Sequence, residues 1–393
     1  MSRRRCSIQI VDMWVTNNSD SATVQGSLRW ALSQLVGLGL TNNAVIKFAD
    51  VLEDIAGTGN NYTISGASII TPKGVNNLTI DFSNHLLYFT GTYGFNSQYG
   101  YTYYINARVE NQNVTCLLFS NYVSLDNIVF SGLNGSTSNP FIFSAGGSVI
   151  RNCVFENLNV IYINVHSGGD LLFEDNIVDV SVNKYLFNLG DGGVVNCNRC
   201  YFGVVYTINF TNYSGIRLNF NRCFIENKST ATNVGLWQRI NNGDVTNCTI
   251  VNVRLSSSTG SYAEQIAKIR QNTIIYTLSL GATIMNPMSL TGNTIVNNII
   301  IAPYTNNIFP RTVDYIESGN LYLCANANAK FPNSTYYAAS TPLTSLISSQ
   351  QGTGQTYQRY YNPTITGNVA RLADVLINQL GNERQSLTNS GAI

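Results

Sequence analysis

Leu125-Asp126-Asn127-Ile128-Val129-Phe130 returns 25 residues later as Ile150-Arg151-Asn152-Cys153-Val154-Phe155. The pattern recurs around Asn176 (Glu174-Asp175-Asn176-Ile177-Val178-Asp179), Asn247 (Val245-Thr246-Asn247-Cys248-Thr249-Ile250), Asn272 (Arg270-Gln271-Asn272-Thr273-Ile274-Ile275) and Asn293 (Thr291-Gly292-Asn293-Thr294-Ile295-Val296). Arg199 and Arg222 fill the two gaps, each followed by Cys and two apolar residues. The steps from 127 to 293 are 25, 24, 23, 23, 25, 25 and 21. A period in this range marks stacked repeats. Each repeat carries short β-branched and aromatic runs with period-2 alternation and no long helical pattern. That combination predicts an all-β fold, a right-handed parallel β-helix in which one coil takes one repeat.

Physical chemistry accounts for the residue types. Coils of such a solenoid stack about 4.8 Å apart, so each register position becomes a column. Asn side chains in one column can hydrogen-bond amide to amide, and Asn tolerates the left-handed backbone of a tight corner. The sequence therefore predicts a structural ladder of Asn127, Asn152, Asn176, Asn247, Asn272 and Asn293. The next position reads Ile128, Cys153, Ile177, Cys200, Cys223, Cys248, Thr273 and Thr294, and is expected to point inward. Two residues on come Phe130, Phe155, Asp179, Phe202, Ile225, Ile250, Ile275 and Val296, a second inward column with one odd member. Asn77 and Asn320 extend the register to a solenoid over 60–325, roughly ten to eleven coils and about 50 Å tall.

Residues 1–59 read as an N-terminal cap. Ser27 is a candidate helix N-cap, and Leu28, Ala31, Leu32 and Leu35 share one helical face suited to covering an open solenoid end. Val45-Ile46-Lys47-Phe48 reads as the first strand. Residues 326–393 lose the register and read as an irregular C-terminal cap or attachment segment, with one candidate helix at 368–380.

Only 11% of the chain is charged, against roughly 25% in typical domains. With 52 Asn and 23 Tyr, amides and phenols must cover the surface. A net charge of +1 gives no electrostatic case for nucleic acid. Four of the eight cysteines, Cys153, Cys200, Cys223 and Cys248, share the inward column and read as free buried thiols rather than a disulfide framework. Cys197 and Cys200 are spaced as CxxC, but without a second pair or a nearby His they do not make a zinc site. No metal and no cofactor is expected. No stretch reaches 18 apolar residues. Met1-Ser2-Arg3-Arg4-Arg5 is not followed by the apolar run of a secretion signal. Release by lysis as part of a virus particle is the simplest account of a surface-type architecture without one.

The opening Val15-Thr16-Asn17, then Gly26-Ser27-Leu28-Arg29-Trp30-Ala31-Leu32, resembles the start of many proteins of the right-handed parallel β-helix, pectin-lyase-like superfamily. Leu380-Gly381-Asn382-Glu383-Arg384 with Ser390-Gly391-Ala392-Ile393 is similar to that family's closing pattern, departing from it where Asn389-Ser390 replaces the usual acidic residue. The resemblance implies a fold shared by polysaccharide lyases and hydrolases, adhesins and phage tail spikes, and does not imply one chemistry.

The residue sets of pectate lyases and polygalacturonases are missing. His85 and His166 stand in no motif and read as turn or surface residues. Asp126, Arg151 and Asp175 each precede a ladder position, which would stack two carboxylates roughly 9–10 Å apart, near the spacing of an inverting glycosidase pair. The alternative is an alternating-charge ladder in which Arg151 neutralises both neighbours. Tyr99, Tyr101, Tyr103 and Tyr104 crowd a polar stretch, and Trp237 lies in a loop. Such aromatics suit contact with a sugar or a protein. The function expected is a virion structural or receptor-binding protein: a spike, tail or capsid appendage, homo-oligomeric, contacting other virion proteins and a host surface glycan. The alternatives are a polysaccharide lyase or glycoside hydrolase of the same fold, and an extracellular or cell-surface adhesin.

Overall fold

In the computed structural model of the protein the repeated position is a sharp bend. The backbone passes through the left-handed region at Asn106, Asn127 and Asn152, and again at Asp175, Arg199, Arg222, Asn247, Gln271 and Asn297, with φ between 52° and 58° throughout. Gly319 takes the same conformation at φ 65°. The structure describes residues 10–36, 43–65, 69–70, 75–89, 95–96, 100–111, 119–120, 122–132, 142–144, 147–158, 163–165, 168–179, 186–204, 209–210, 216–230, 234–237, 242–256, 266–278, 291–304, 314–324, 334–338, 340–363, 369–370 and 387–388. They form two compact units, Met1–Leu171 and Leu172–Ile393, and the fold is the expected all-β parallel solenoid. Among the described residues about 6 turns are made out, fewer than the ten to eleven expected.

The first unit begins earlier than expected. Its first strand is Ile10–Asn17, which pairs in parallel with Asn43–Glu53. Asn77–Asp81, Tyr101–Asn111, Val123–Ser131 and Ser148–Arg151 follow in the same sheet. The inward positions, among them Phe48, Ile80, Tyr104, Leu125 and Phe130, are buried. The helix Leu28–Gln34 starts where Ser27 Oγ accepts the Trp30 N–H at 3.0 Å, and it buries Leu28, Ala31 and Leu32. Asn18 ties down the loop after Glu53. Its Nδ2 donates to Asp54 Oδ1, Thr58 Oγ1 and the Gly59 carbonyl, and its Oδ1 accepts the Ala56 N–H.

In the second unit one face of parallel strands runs through Val194–Asn198, Arg217–Asn221, Asn242–Thr246, Ile266–Arg270, Thr291–Val296 and Asp314–Ser318. After each bend a second face runs through Ile177–Asp179, Tyr201–Val204, Phe224–Asn227, Thr249–Val251, Thr273–Ile275, Ile299–Ala302, Leu321–Cys324 and Thr335–Ala338. Ile299–Ala302 and Leu321–Cys324 are buried at every position. The tail explains why. Leu346 and Ile347 pack with Ile275, Ile299, Ile301, Leu321 and Leu323, with Tyr337 and Tyr361 at the edge. A strand covered on both faces reads as a continuous apolar run. The tail strands Ile347–Gln351 and Tyr360–Pro363 pair antiparallel. The helix expected at 368–380 falls largely outside the described residues, and Val369–Ala370 within it is strand, paired with Leu387–Thr388.

The register corrects the ladder. Asn127, Asn152 and Asn247 are bend residues. Asn176 and Asn272 are not: Asp175 and Gln271 make the bends, and each Asn stands one place further on, fully buried. Asn293 lies inside the strand Thr291–Val296, and the bend there falls at Asn297. The inward column of the second unit is therefore Asn176, Cys200, Cys223, Cys248, Asn272, Asn298 and Asn320, since Ile177 pairs with Tyr201, Tyr201 with Phe224, Phe224 with Thr249, Thr249 with Thr273, Thr273 with Ile299 and Ile299 with Leu321. The neighbouring column takes Val178, Ile274 and Ile300, not Asp179, Ile275 and Val296, which removes the odd member: Val178 pairs with Phe202, Ile250 with Ile274 and Ile274 with Ile300, and all are buried.

Cys and Asn share that column because they make the same bonds. Cys200, Cys223 and Cys248 each point their thiol at the carbonyl two residues back, at 3.2, 3.4 and 3.3 Å, and Asn298 Nδ2 does likewise to Val296 at 3.1 Å. The N–H after each bend also finds an acceptor on the next coil. Cys223 N–H meets Cys248 Sγ at 3.4 Å, Cys248 N–H meets Asn272 Oδ1 at 2.8 Å, and Asn272 N–H meets Asn298 Oδ1 at 2.9 Å. A buried backbone donor that the bend removes from the ladder is satisfied by a side chain.

Candidate functional site

With the inward columns committed to packing and backbone bonds, chemistry is left to the outward ones. In the first unit, Asn43 pairs with Asn77, Asn77 with Tyr101, and Thr102 with Val123, which sets Tyr122 beside Tyr101 on the next coil. Tyr101, Tyr103 and Tyr122 are 41%, 37% and 46% exposed, the first two on the strand Tyr101–Asn111 and the third just before Val123–Ser131. The Tyr101 and Tyr122 rings lie 4.9 Å apart between centroids and the Tyr101 and Tyr103 rings 6.5 Å apart. Three open phenol rings thus form one ledge. At one end Gly147 presents only its backbone; a Cβ there would stand 3.4 Å from both the Tyr101 hydroxyl and the Tyr122 ring. The Gly147 N–H donates to Asp170, to the carbonyl at 3.0 Å and to Oδ1 at 2.7 Å. At the other end Asn77 Nδ2 donates to Asn43 Oδ1 at 3.1 Å.

The ledge holds two of the four expected tyrosines. Tyr104 points the other way and is a core residue with no exposure, as alternation along Tyr101–Asn111 requires. Tyr99 and the side chain of Trp237 lie outside the described residues. Tyr122 was missed. The signal for it was Asn106, which follows Tyr104-Ile105 as Asn127 follows Leu125-Asp126; stepping back from Asn127 to Asn106 aligns Tyr122 with Tyr101.

The carboxylates singled out for catalysis are held by cations and amides. Asp126 pairs with Arg151 across neighbouring strands, accepts its Nε at 2.9 Å and accepts Asn152 Nδ2 at 2.7 Å. Asp175 is the bend residue and not the one before it. It takes Arg199 in two bonds of 2.7 and 2.6 Å, and Arg199 also reaches Glu174 at 2.9 Å. The hydrogen bond that Arg199 donates to Asp175 raises its guanidinium well above its ordinary value. Arg151 is paired with Asp126 as the charge ladder expected, whereas the partner of Asp175 is Arg199. His85 is buried, not at the surface, with Nδ1 3.0 Å from the Asn60 carbonyl and Nε2 2.7 Å from that of Ala49. His166 lies outside the described residues.

A second polar cluster binds the tail to the second unit. Glu226 accepts Arg359 Nη1 at 2.9 Å and Nη2 at 3.1 Å, and the Tyr201 hydroxyl at 2.5 Å. The guanidinium lies 4.3 Å over the Phe224 ring, and Gln350 Oε1 accepts both Arg359 Nη2 and the Tyr361 hydroxyl. Asp179, exiled from the core, takes Lys228 Nζ at 2.5 Å and Gln355 Nε2. Burial, then the Glu226 carboxylate, pushes the Tyr201 phenol far up. No sequence pattern linked Glu226 to Arg359.

Among the described residues no group of three or more His, Cys, Asp or Glu is placed to hold a metal ion, and no helix is long and apolar enough to cross a membrane. Six described cysteines, Cys153, Cys197, Cys200, Cys223, Cys248 and Cys324, are free and buried. No family model, no curated protein and no solved structure matches the chain.

Proposed function

We propose that the chain is a structural or receptor-binding component of a virus particle, a spike, tail or capsid appendage that presents a parallel β-solenoid of the pectin-lyase-like kind. The observation that carries this reading is the outward surface of the first unit. An aromatic ledge stands open there, while the carboxylates put forward for catalysis are tied to Arg and Asn. Rigid coils hold contact residues at fixed spacing, and several copies on one particle would turn weak contacts into firm attachment. Mass analysis of purified particles tests it. Recovery of the chain in stoichiometric amounts from washed particles supports the reading, and its absence from every particle fraction while it accumulates free sinks it.

A polysaccharide-degrading enzyme is the second reading, and one observation favours it. Asp179 pairs with Gly203 and Gly203 with Glu226, so two carboxylates share an outward column on either side of a glycine, over which the Tyr201 hydroxyl and the Lys228 stem lie. At the sheet spacing they stand about 9–10 Å apart, close to the separation of inverting glycosidases. Lys228, Gln355, Tyr201 and Arg359 now engage both. Incubation with candidate polysaccharides, followed for new reducing ends or unsaturated sugars, separates the readings. Cleavage that is lost in Asp179→Asn and in Glu226→Gln establishes the enzyme, and cleavage lost in Asp126→Asn and Asp175→Asn returns the role to the sequence candidates.

A further inference from the structure

We propose that the ledge of Tyr101, Tyr103 and Tyr122 is a binding site for an uncharged oligosaccharide laid along the stacking direction of the coils. The inference rests on the attachment reading and names the ligand class of that surface.

Three observations converge. The first is shape. Aromatic faces with polar rims suit pyranose rings, whose C–H faces are apolar and whose edges carry hydroxyls. Here Tyr103 lies two residues along the strand of Tyr101, at 6.5 Å, and Tyr101 and Tyr122 step from one coil to the next at 4.9 Å. That is about one strand spacing and comparable with the length of one sugar ring, so consecutive residues of a linear glycan meet consecutive rings.

The second is the set of polar groups at the rim. Gly147 leaves the far end bare, where a Cβ would stand in contact with the Tyr101 hydroxyl and the Tyr122 ring. Its φ of +77° is a conformation that suits glycine. Beyond it lies the exposed Asp170, whose carboxylate takes the Gly147 N–H with one oxygen and has further acceptor capacity for sugar hydroxyls. The Asn77–Asn43 amide pair lies at the opposite end.

The third is charge, and it selects among glycans. The outward columns beside the ledge carry Asp12, Asp81, Asp126 and Asp170. The cations among the described residues of those columns are engaged: Arg151 by Asp126, at 2.8 Å, and Lys47 over the Trp14 ring, at 5.8 Å. Arg151 cancels Asp126 and Lys47 keeps its charge over the Trp14 ring, so four carboxylates stand against two cations in the described columns, a net acidic balance that disfavours uronates and sialylated chains. Neutral hexoses lose nothing to it.

The test uses the full-length protein against two panels of soluble oligosaccharides: neutral linear glucans, galactans and mannans, and anionic oligogalacturonate and sialyllactose. Binding is measured by calorimetry at low and high salt. At least one neutral oligosaccharide should bind, with an affinity unchanged by salt, and Tyr101→Ala and Tyr122→Ala should each weaken it about 10- to 100-fold, the range for losing one stacked ring. Trp14→Ala, on the same sheet away from the ledge, should bind as the parent does. Both tyrosines are exposed, so the variants are expected to fold, and a parent-like circular dichroism spectrum checks that. Absence of binding to every neutral oligosaccharide, preference for the anionic panel, or binding indifferent to both substitutions overturns the proposal. The particle assay is untouched by any of these results: a chain recovered from particles that binds no neutral glycan would keep the attachment reading, point to a protein receptor and remove the glycan site alone.

Discussion

Asn298→Ala should be among the most damaging single substitutions in the second unit. The side chain is fully buried and makes five bonds. Its Oδ1 accepts the Asn272 N–H and Nδ2, and its Nδ2 donates to the Ile269 and Val296 carbonyls and to Asn320 Oδ1. Truncation strands the buried Asn272 N–H and the Ile269 carbonyl, each at about 1–3 kcal/mol. A total near 4 kcal/mol is expected, a large part of the roughly 5–15 kcal/mol that holds a typical domain together. Asn298→Cys should cost about half as much, because a thiol accepts the corresponding N–H at Cys248 and reaches the carbonyl two residues back at Cys200, Cys223 and Cys248. Equilibrium unfolding in guanidinium gives the two costs, and hydrogen exchange at the Asn272 amide shows whether its bond is the one lost. A loss below about 1 kcal/mol in the Ala variant, or a Cys variant no better than Ala, would refute the equivalence of the two residue types.

Burial pushes the Cys153 thiol up to about 12 and raises Cys197, Cys200 and Cys248 as well. A thiol reagent at pH 8 should therefore leave these positions unlabelled in the native protein and label them after denaturation, and peptide mapping that finds them modified in the native state contradicts the register. Arg359→Ala removes a bidentate partner from the half-buried Glu226 and should cost about 2–4 kcal/mol, and limited proteolysis should then cut within 340–363. Unchanged resistance there would show that apolar packing of Leu346 and Ile347 alone holds the tail. Asp54 is held below the usual carboxylate range, first by the Asn18 amide and then by backbone N–H groups of Gly59, Thr58 and Gly57. A depressed folded value adds stability above the unfolded value, near pH 4, that disappears as pH falls through the folded one. The difference between the parent and Asn18→Ala should accordingly shrink on going from pH 7 to below about pH 4, and a constant difference in denaturation midpoint would remove Asp54 from the account.

Periodicity made the fold legible, because a coil of fixed length forces like residues into columns. It did not fix the register to one residue. Asn serves both at the bend, where its tolerance of positive φ matters, and one place inward, where its amide caps backbone groups. In Asp175-Asn176 and Gln271-Asn272 the inward Asn catches the eye while Asp175 and Gln271 make the bend. That single slip put Asp179 in the core and Asp175 in one column with Asp126. The tail was illegible for a different reason. Its partners Glu226 and Arg359 lie 133 residues apart, and no local pattern records such a contact. A trace existed in Ile299-Ile300-Ile301 and Leu321-Tyr322-Leu323, whose unbroken apolar runs require a cover on the outer face as well as a core on the inner one.

Outward positions before and after the bend meet two fates, and the difference locates function. In the second unit the outward residues after the bend, Ile275, Ile299, Ile301, Leu321 and Leu323, are aliphatic, and the chain supplies its own cover in Leu346 and Ile347. In the first unit Tyr101, Tyr103 and Tyr122 hold outward positions and, among the described residues, no segment of that unit covers them. Aliphatic side chains left in water cost apolar hydration with nothing in return, so they persist where a tail hides them. Tyrosine tolerates exposure because its hydroxyl stays solvated while its ring remains available. A solenoid has room for both solutions because its inward columns already carry the stability. Substitutions on the tyrosine ledge should therefore alter contact with a partner at little cost to the fold, whereas those under the tail should alter the fold first.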